Sequence, residues 1–225
     1  MLLYKYKGAS ELLHLLDIAV HERLFCQEYS LLNDPFEGQF RSITHYTNIA
    51  NFAHGNFNPY PLRHPGRVNY HNVGELLVPG GTKVCSLSAT STDVRMWSLY
   101  AESHFGVAIE IDFTDAENRV RRVEYVDDLP KLGMTILAGA TPEQVLSYKT
   151  THWAYEQEYR IIGPDKYYEI DGRIRRVIVG LRARDDFVLL LKKVMHPRVT
   201  IAKAKLDHEG VAIQVDEVLH EGVPD

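Results

Sequence analysis

The stretch Trp153–Arg160, which reads WAYEQEYR, places three aromatic rings, two carboxylates and a guanidinium within eight residues. In an extended strand, successive side chains point to opposite faces of the sheet, so Glu156, Glu158 and Arg160 would share one face. Like charges at that distance are costly unless a cation, a metal or a ligand uses them, and Arg160 offsets only part of the cost. We therefore take the two carboxylates as the candidate chemical centre, with a solvent-facing charged edge as the alternative.

The segments on either side of this stretch predict many short strands and a few helices. Alternating apolar residues and β-branched runs predict strands at residues 2–7, 83–88, 106–113, 119–126, 153–162, 174–180, 199–205 and 211–215. Apolar residues at helical spacing predict helices at residues 10–25, 96–106, 141–150 and 185–196. Because strands and helices do not alternate regularly, we predict an α+β fold with mixed or antiparallel short-stranded sheets and flanking helices.

Length and composition are those of one ordinary globular domain. The chain has 225 residues, of which 45% are hydrophobic and 24% charged, so it can build a core without disulfides or metals. We expect a single domain spanning residues 1–225. Residues 40–79 are rich in His, Asn, Tyr, Pro and Gly and show little periodicity, which predicts an insertion or a lid.

Charge and cysteine content narrow the partners and the compartment. A net charge of −5 gives no general attraction to phosphate backbones, so general coating of nucleic acids is disfavoured. Cys26 and Cys85 stand in apolar surroundings without a partner spacing, as expected of buried free thiols in a reducing compartment. No apolar run approaches about 20 residues, and Met1–Tyr6 lacks the parts of a signal peptide. The sequence therefore predicts a cytoplasmic protein without membrane contact.

Several familiar chemistries lack their motif. Val78–Lys83 resembles the end of a phosphate loop, but its Gly-Thr-Lys order is wrong and the leading spacing is absent. The chain has neither Gly-x-Gly-x-x-Gly nor a Gly-x-Ser-x-Gly elbow. His45, His54, His64 and His71 have neither close helical spacing nor a companion Cys. We expect no tightly bound metal.

What remains is a set of polar groups among aromatic residues. Aromatic rings suit a planar base or a nicotinamide, which binds by stacking, while a few fixed polar groups set the orientation of the ligand. The candidates for holding such a small-molecule nucleotide are Tyr4, Tyr6, Asn33, Asp34, Ser86, Ser88, Trp97, Tyr100 and Arg160. For Trp97 and Tyr100, packing alone also explains the helical spacing.

Four segments of the chain resemble a known group of bacterial proteins. They are Tyr4–Tyr6 (YKY), Asn33–Glu37 (NDPFE), Met96–Ala101 (MWSLYA) with Gly106, and Trp153–Arg160 preceded by Lys149. In this order, over most of the chain, they resemble the bacterial family called domain of unknown function 2971. That family name carries no activity, so the resemblance implies relatives and not a function.

A more distant resemblance is to the ADP-ribosyltransferases. It is carried by a polar or aromatic first strand at Tyr4–Tyr6, a Ser-rich strand with Ser86 and Ser88, and a later Glu-x-Glu at Glu156 and Glu158. The resemblance implies an ADP-ribosyltransferase-like fold with NAD as substrate. Breaking the nicotinamide–ribose bond passes through an oxocarbenium-like state, which a fixed carboxylate near the ribose stabilises.

The same resemblance implies roles for single residues. Glu158 would stabilise the positive charge on the ribose, Glu156 would orient the acceptor, and Ser86 would support Glu158. NAD would be held by Tyr4, Tyr6 and the Asn33–Asp34 turn. The transferases carry Arg or His on the first strand, whereas this chain has Tyr, Lys and Tyr, so Lys5 or Arg160 would contact the pyrophosphate.

Three functions follow from these features. The leading hypothesis is a cytoplasmic NAD-using enzyme that transfers ADP-ribose to a macromolecular acceptor or hydrolyses NAD, in bacterial defence or toxicity. The second is a non-catalytic module in which the same pocket holds a nucleotide or a protein segment. The third is a Mg²⁺-dependent hydrolase or nuclease with oxygen ligands from Asp34, Glu37, Glu156 and Glu158.

Overall fold

The fold is described from a computed structural model, which covers residues 1–34, 36–44, 69–70, 74–75, 81–128, 131–133, 141–207, 209 and 213–223. Its strands are, in chain order, β1 (Leu2–Lys7), β2 (Arg23–Phe25), β3 (Gln27–Glu28), β4 (Gln39–Thr44), β5 (Asn69–Tyr70), β6 (Gly74–Glu75), β7 (Lys83–Ser88), β8 (Val107–Asp112), β9 (Arg121–Arg122), β10 (Glu124–Val126), β11 (Lys131–Gly133), β12 (Tyr148–Thr150), β13 (Glu158–Gly163), β14 (Tyr167–Glu169), β15 (Ile174–Val179), β16 (Thr200–Leu206) and β17 (Ile213–His220). The helices are α1 (Leu12–His21), α2 (Val94–Tyr100), α3 (Pro142–Val145) and α4 (Asp185–Val194), with 3-10 helices at Tyr29–Leu31, Thr114–Arg119 and Thr151–Glu156.

The central element is a nine-stranded sheet with the strand order β17-β16-β15-β8-β1-β7-β13-β9, in which β3 also pairs with β7. Strands β15 and β16 run parallel, and the other neighbours in this sheet run antiparallel. The predicted α+β class with short, mostly antiparallel strands is confirmed.

Strand β1 meets its two neighbours in different ways. Every residue from Leu2 to Lys7 pairs with β8, whereas the register of β1 with β7 consists of Tyr4 opposite Ser88 alone in this described part of the sheet. On its other side, β7 pairs with β13 over its whole length. The sheet therefore has a first half-sheet (β1, β8, β15, β16 and β17) and a second half-sheet (β3, β7, β9 and β13), which separate beyond Tyr4 and Ser88.

One face of the sheet carries the main apolar core. Helix α1 buries Leu15 and Ile18 there, and α4 buries Leu191, because these residues fall on one stripe of each helix. They pack against alternate sheet residues such as Ile109 and Val177, which are almost fully buried. Burial of each such side chain stabilises the fold by about 1.5–3 kcal/mol.

The opposite face is covered by α2 and the 3-10 helix at Thr151–Glu156. Asp93 caps α2 by accepting a hydrogen bond from the backbone N–H of Arg95. The buried face of α2 presents Trp97, whose ring meets Tyr6 edge-on at 5.4 Å between ring centroids. The indole N–H of Trp97 donates to the carbonyl of Ser91 at 2.7 Å, which fixes the loop between β7 and α2. Most of the functional candidates lie on this face of the sheet.

The strand predicted at residues 153–162 begins later than expected. Residues Thr151–Glu156 form a 3-10 helix, and Gln157 adopts a left-handed conformation (φ 44°) that turns the chain into β13 at Glu158. The backbone carbonyl of Gln157 accepts from Ala89 N–H at 3.0 Å, which anchors this turn to the end of β7. Glu156 therefore does not lie on the strand that carries Glu158, contrary to the alternation expected from the sequence.

Three other boundaries also differ from the sequence predictions. The first helix ends at His21 and not near Phe25, because Glu22 is left-handed (φ 47°) and the chain then pairs with β14. The helix begun at Pro142 stops at Val145, since Tyr148–Thr150 pairs with β10. The strand predicted at residues 119–126 is divided into β9 and β10.

The predicted insertion or lid at residues 40–79 falls largely outside the described residues. Within that range the structure gives β4, which pairs with β5, β6 and β11 in a sheet separate from the central one. In the part of the chain that is described, none of the helices has the length and apolar character needed to cross a membrane.

Candidate active site

The two half-sheets separate around a cleft of about 520 Å³, a volume within the usual range of small-molecule sites. Strands β1 and β7 form its walls, and α2, the Tyr29–Leu31 helix with the residues that follow it, and the end of the Thr151–Glu156 helix close it. The predicted site residues that line it are Tyr4, Tyr6, Asn33, Ser86, Ser88, Tyr100, Glu156 and Glu158. Residues from five separate segments therefore meet in one place.

Three predicted ligand-holding residues do not line this cleft. Trp97 is fully buried in the core beneath α2, so it is a packing residue. Asp34 is buried and accepts a hydrogen bond from the backbone N–H of Phe36, beside a separate hollow near Trp153. Arg160 is 1% exposed, and its guanidinium bonds to Glu158, Glu37 and the Leu146 carbonyl. Arg160 therefore cannot replace the missing first-strand cation as a direct pyrophosphate contact.

Glu158 is a buried carboxylate held by two cations. Its Oε1 accepts from Arg160 Nε at 2.8 Å and its Oε2 accepts from Arg160 Nη2 at 2.9 Å and from Lys149 Nζ at 3.3 Å. Burial opposes ionisation, but the positive charges of Arg160 and Lys149, helped by a hydrogen bond from Ser86, lower the pKa of Glu158 to about 2. Glu158 is therefore a fixed anion at neutral pH.

Arg160 is saturated by its partners. Besides Glu158, its guanidinium donates to both carboxylate oxygens of Glu37, at 2.5 and 2.8 Å, and to the carbonyl of Leu146 at 2.7 Å. A planar guanidinium suits two carboxylates at once because its donors form a rigid fork. Arg160 acts on the cleft by fixing the position of Glu158.

Glu156 faces the same cluster from the end of the 3-10 helix. Its Oε2 accepts from Lys149 Nζ at 2.5 Å and its Oε1 accepts from the Tyr100 hydroxyl at 2.5 Å. The Ser88 hydroxyl donates to the backbone carbonyl of Glu156 at 2.5 Å, which holds the turn in place. Burial and the nearby negative charge of Glu158 raise the pKa of Glu156, although Lys149 acts in the opposite direction.

Lys149 thus contacts both carboxylates, and their pKa values are shifted in opposite directions, upward for Glu156 and downward for Glu158. Such a divergence of neighbouring carboxyl groups is the pattern by which enzymes assign one anion and one proton carrier. In the sequence, Lys149 belongs to the motif that resembles the bacterial family, and that motif assigns it no role. The sequence shows only a lysine a few residues before a carboxylate pair. Its role is visible in the fold, because the turn between β12 and β13 brings Lys149 beside both carboxylates.

Further polar groups are fixed at the rim of the cleft. The amide of Asn33 donates to the Tyr100 hydroxyl at 2.5 Å, which links the segment after the first 3-10 helix to Glu156. The Tyr4 hydroxyl donates to Glu110 at 3.0 Å and the Tyr6 hydroxyl donates to the Thr90 carbonyl at 2.9 Å. Both tyrosine rings are therefore held rigidly where a planar ligand group could stack.

Two lysines of β1 also line the cleft. Lys5 donates from Nζ to the backbone carbonyl of Ser86 at 2.9 Å, across the gap between the half-sheets. Lys7 forms an ion pair with Glu11 at 2.8 Å. Of the two residues expected to contact the pyrophosphate, Lys5 is therefore the one that lines the cleft, and its contact with an anionic ligand group stays a prediction.

The carboxylates proposed for magnesium are already engaged. Glu37 and Glu158 share Arg160, and Glu156 pairs with Lys149. Among the residues that the structure describes, no group of three or more His, Cys, Asp and Glu side chains is arranged to hold a metal ion. The four histidines between residues 45 and 71 lie outside those residues.

Comparison of the chain with models of known protein families found no match, and comparisons with curated proteins and with solved structures found none either. The resemblances to domain of unknown function 2971 and to the ADP-ribosyltransferases stay predictions drawn from the motifs.

Proposed function

We propose that the protein cleaves the bond between nicotinamide and ribose of NAD in the cleft between β1 and β7. In this proposal ADP-ribose passes to a macromolecular acceptor or to water, in the cytoplasm. The observation that carries the proposal is Glu158, an ionised carboxylate fixed by Arg160 and Ser86 at the point where the two half-sheets separate.

The chemistry asks for a fixed anion at the ribose. When the N-glycosidic bond breaks, its electron pair leaves with nicotinamide and positive charge develops on the ribose carbon and ring oxygen. A carboxylate that is already ionised and already oriented stabilises that charge without reorganising at the moment of reaction. Glu158 meets both conditions, because its lowered pKa keeps it charged and Arg160 holds both of its oxygens.

The second half of the reaction asks for a proton acceptor. The attacking water or acceptor group forms a bond to the ribose carbon and must lose one proton. Glu156 is suited to take it, since its raised pKa brings the carboxyl closer to neutral pH, where a general base works best. Tyr100 and Lys149 keep its two oxygens in place.

The arrangement of the strands supports the same proposal. The three features that resemble the ADP-ribosyltransferases lie on neighbouring strands or directly beside them: Tyr4–Tyr6 on β1, Ser86 and Ser88 on β7, and Glu158 on β13. The rings of Tyr4, Tyr6 and Tyr100 line the cleft for stacking with nicotinamide or adenine.

The test is nicotinamide release from NAD by the purified chain, with and without cell extract as a source of acceptors. We expect release by the wild type and a loss of at least about 100-fold in Glu158→Gln, because removal of one fixed charge-stabilising group commonly costs that much. The matched control is Glu22→Gln, which breaks an ion pair with Arg198 outside the cleft. Equal release by folded wild type and folded Glu158→Gln would contradict the role of Glu158.

Nucleotide binding without turnover is a second candidate, favoured by one observation. Both oxygens of Glu158 already accept hydrogen bonds from Arg160 and Lys149, as in a site built for binding charge and not for chemistry. Saturable binding of NAD in calorimetry, with no nicotinamide formed over hours, would favour this function. Binding lost in Tyr4→Ala and kept in Glu22→Gln would assign it to the same cleft.

A further inference from the structure

The two cysteines of the chain, distant in sequence, lie next to each other in the fold. Gln27 pairs with Val84 and Glu28 pairs with Lys83 in antiparallel register. Extended by one residue beyond β3, this register would set Cys26 opposite Cys85. The two thiols affect each other's pKa, and both are free and buried in the same core cluster. They form a dithiol pair, although the sequence had suggested two isolated thiols.

The geometry of such a pair is compatible with a disulfide. Directly opposed residues of antiparallel strands have Cα atoms about 4.5 or 5.5 Å apart. Disulfides span Cα separations of about 4.4–6.8 Å. The Cα separation that the extended register gives Cys26 and Cys85 therefore falls in the range that a disulfide spans.

The surroundings of the pair favour the reactive form of one thiol. A hydrogen bond from Cys26 and the nearby ammonium of Lys5 lower the pKa of the Cys85 thiol, while burial acts against them. Lys7 also acts on Cys85 from β1, and Asp165 acts on Cys26. A thiolate is the nucleophilic form of cysteine, and a neighbouring cation is what usually produces it.

The pair lies close to the cleft along the chain, although neither cysteine itself lines it. The residues on both sides of each cysteine, Phe25 and Gln27 on one segment and Val84 and Ser86 on the other, line the cleft wall. Each cysteine is therefore one residue along the chain from residues that line the cleft. Lys5 lines the same cleft and links it to Cys85.

We propose that Cys26 and Cys85 are an oxidisable dithiol, a modification site that closes to an intramolecular disulfide when a peroxide enters the cleft. The Cys85 thiolate attacks one peroxide oxygen, the O–O bond breaks and hydroxide leaves, giving a sulfenic acid. The Cys26 thiol then attacks the Cys85 sulfur, forming the S–S bond and releasing water. Overall, the two cysteines lose two electrons, which reduce hydrogen peroxide to water and hydroxide.

The first test is treatment of the reduced, folded chain with hydrogen peroxide, followed by mass spectrometry of the intact protein and of its peptides. We expect loss of two hydrogen atoms and a peptide pair joined through Cys26 and Cys85, reversed by dithiothreitol. In Cys26→Ser the reaction should stop at a sulfenic acid on Cys85, trapped by dimedone. Retention of both thiols in the folded chain, under peroxide that oxidises the urea-unfolded chain, would overturn the proposal.

The role of Lys5 has its own test. In Lys5→Met we expect oxidation at neutral pH to slow several-fold and its rate profile to move to higher pH, since the thiolate loses its cation. At alkaline pH the same disulfide should still form, which separates loss of activation from loss of structure. An unchanged pH profile in a folded Lys5→Met variant would show that Lys5 does not activate Cys85.

Discussion

The two half-sheets bury a Glu–Arg pair on the same face, and the pairs differ in a way that separates scaffold from site. In the first half-sheet Glu110 accepts from Arg176 at 2.7 Å, and Arg176 keeps 34% of its side chain exposed. In the second, Glu158 and Arg160 are almost fully buried, and Glu37, Lys149 and Glu156 extend them into a network. The Glu110–Arg176 pair therefore includes a partly exposed arginine, whereas the Glu158–Arg160 pair belongs to a buried cluster of charged residues.

This difference indicates which half-sheet contains buried charges that do not favour folding. Burial of an ion pair carries a large desolvation penalty, so such a pair often stabilises a fold no more than apolar residues of the same size do. The first half-sheet shows that this architecture stands on apolar packing, through residues such as Ile109, Ile178 and Val177. The charges of the second half-sheet are therefore better explained by what they present to the cleft than by stability.

The largest expected effect comes from breaking the buried network. Arg160→Met leaves Glu37 and Glu158 buried without their shared cation, and loss of one partner of a buried pair costs about 3–5 kcal/mol. Urea unfolding followed by circular dichroism measures the change. The control, Arg176→Met, removes an arginine whose side chain is 34% exposed and leaves the buried Glu110 with the Tyr4 hydroxyl as a donor, so its loss should be smaller. Equal losses would remove the distinction between the half-sheets.

The next effect is acid sensitivity carried by Glu158. The pKa of Glu158 is lowered to about 2 in the folded chain, below the unfolded value of about 4.3. Ionised Glu158 therefore contributes its full stabilisation of the folded state above the unfolded pKa. This contribution to the free energy of unfolding is lost as the pH falls towards 2, by up to about 3 kcal/mol. Unfolding curves between pH 6 and about 2.5 should show a larger loss in the wild type than in Glu158→Gln.

Glu156 provides the matched variant with the opposite sign. Because its pKa is raised in the folded chain, its ionisation opposes folding, and acidification through that pKa favours the folded state. Glu156→Gln should therefore keep the acid loss that Glu158→Gln removes. If the two variants gave the same pH profile, the divergence in acidity between the carboxyl groups would be wrong.

A smaller effect is expected at the cleft rim from Tyr100→Phe. The substitution removes the hydroxyl that donates to Glu156 and accepts from Asn33, and a hydrogen bond to a charged group contributes about 1.5–3 kcal/mol. We expect a loss near the lower end of that range, together with reduced nicotinamide release. A folded variant with wild-type turnover would place Tyr100 outside the chemistry.

The smallest effect tests the scaffold itself. Ile109→Val in β8 deletes one buried methylene group from the apolar face and should cost about 1 kcal/mol. Nicotinamide release and NAD binding should be unchanged, because Ile109 points to the face away from Glu158. A change in turnover without a change in stability would mean that the first half-sheet takes part in the site.

The sequence located much of this fold because local patterns and tertiary packing agreed. The alternation in β8 and β15 and the apolar stripe of α4 gave strands and a helix where the structure has them. The prediction failed where tertiary contacts prevailed over local pattern. At Trp153–Glu156 the aromatic and acidic residues alternate as in a strand, yet the turn at Gln157, anchored to the end of β7, makes this segment a 3-10 helix.

The candidate site was found in part for the same reason. One cleft is lined by Tyr4, Ser86, Ser88, Glu156 and Glu158. These residues could be selected from the sequence because their polar side chains by themselves suggest binding or catalysis. Sequence spacing could not show that Trp97 packs into the core, or that the guanidinium of Arg160 donates its hydrogen bonds to buried carboxylates. It could not assign Lys149 either, because the partners of a lysine depend on which segments the fold brings beside it.

The sequence by itself determined the class of the fold, the chemical character of the Glu-x-Glu segment and the absence of familiar phosphate-loop and zinc motifs. These follow from periodicity and residue type, which are local properties. Only the tertiary structure decided that the sheet separates beyond Tyr4 and Ser88, that Lys149 bridges the two carboxylates, and that Cys26 lies near Cys85. These depend on strand register between distant segments, and register is set by packing of the whole chain.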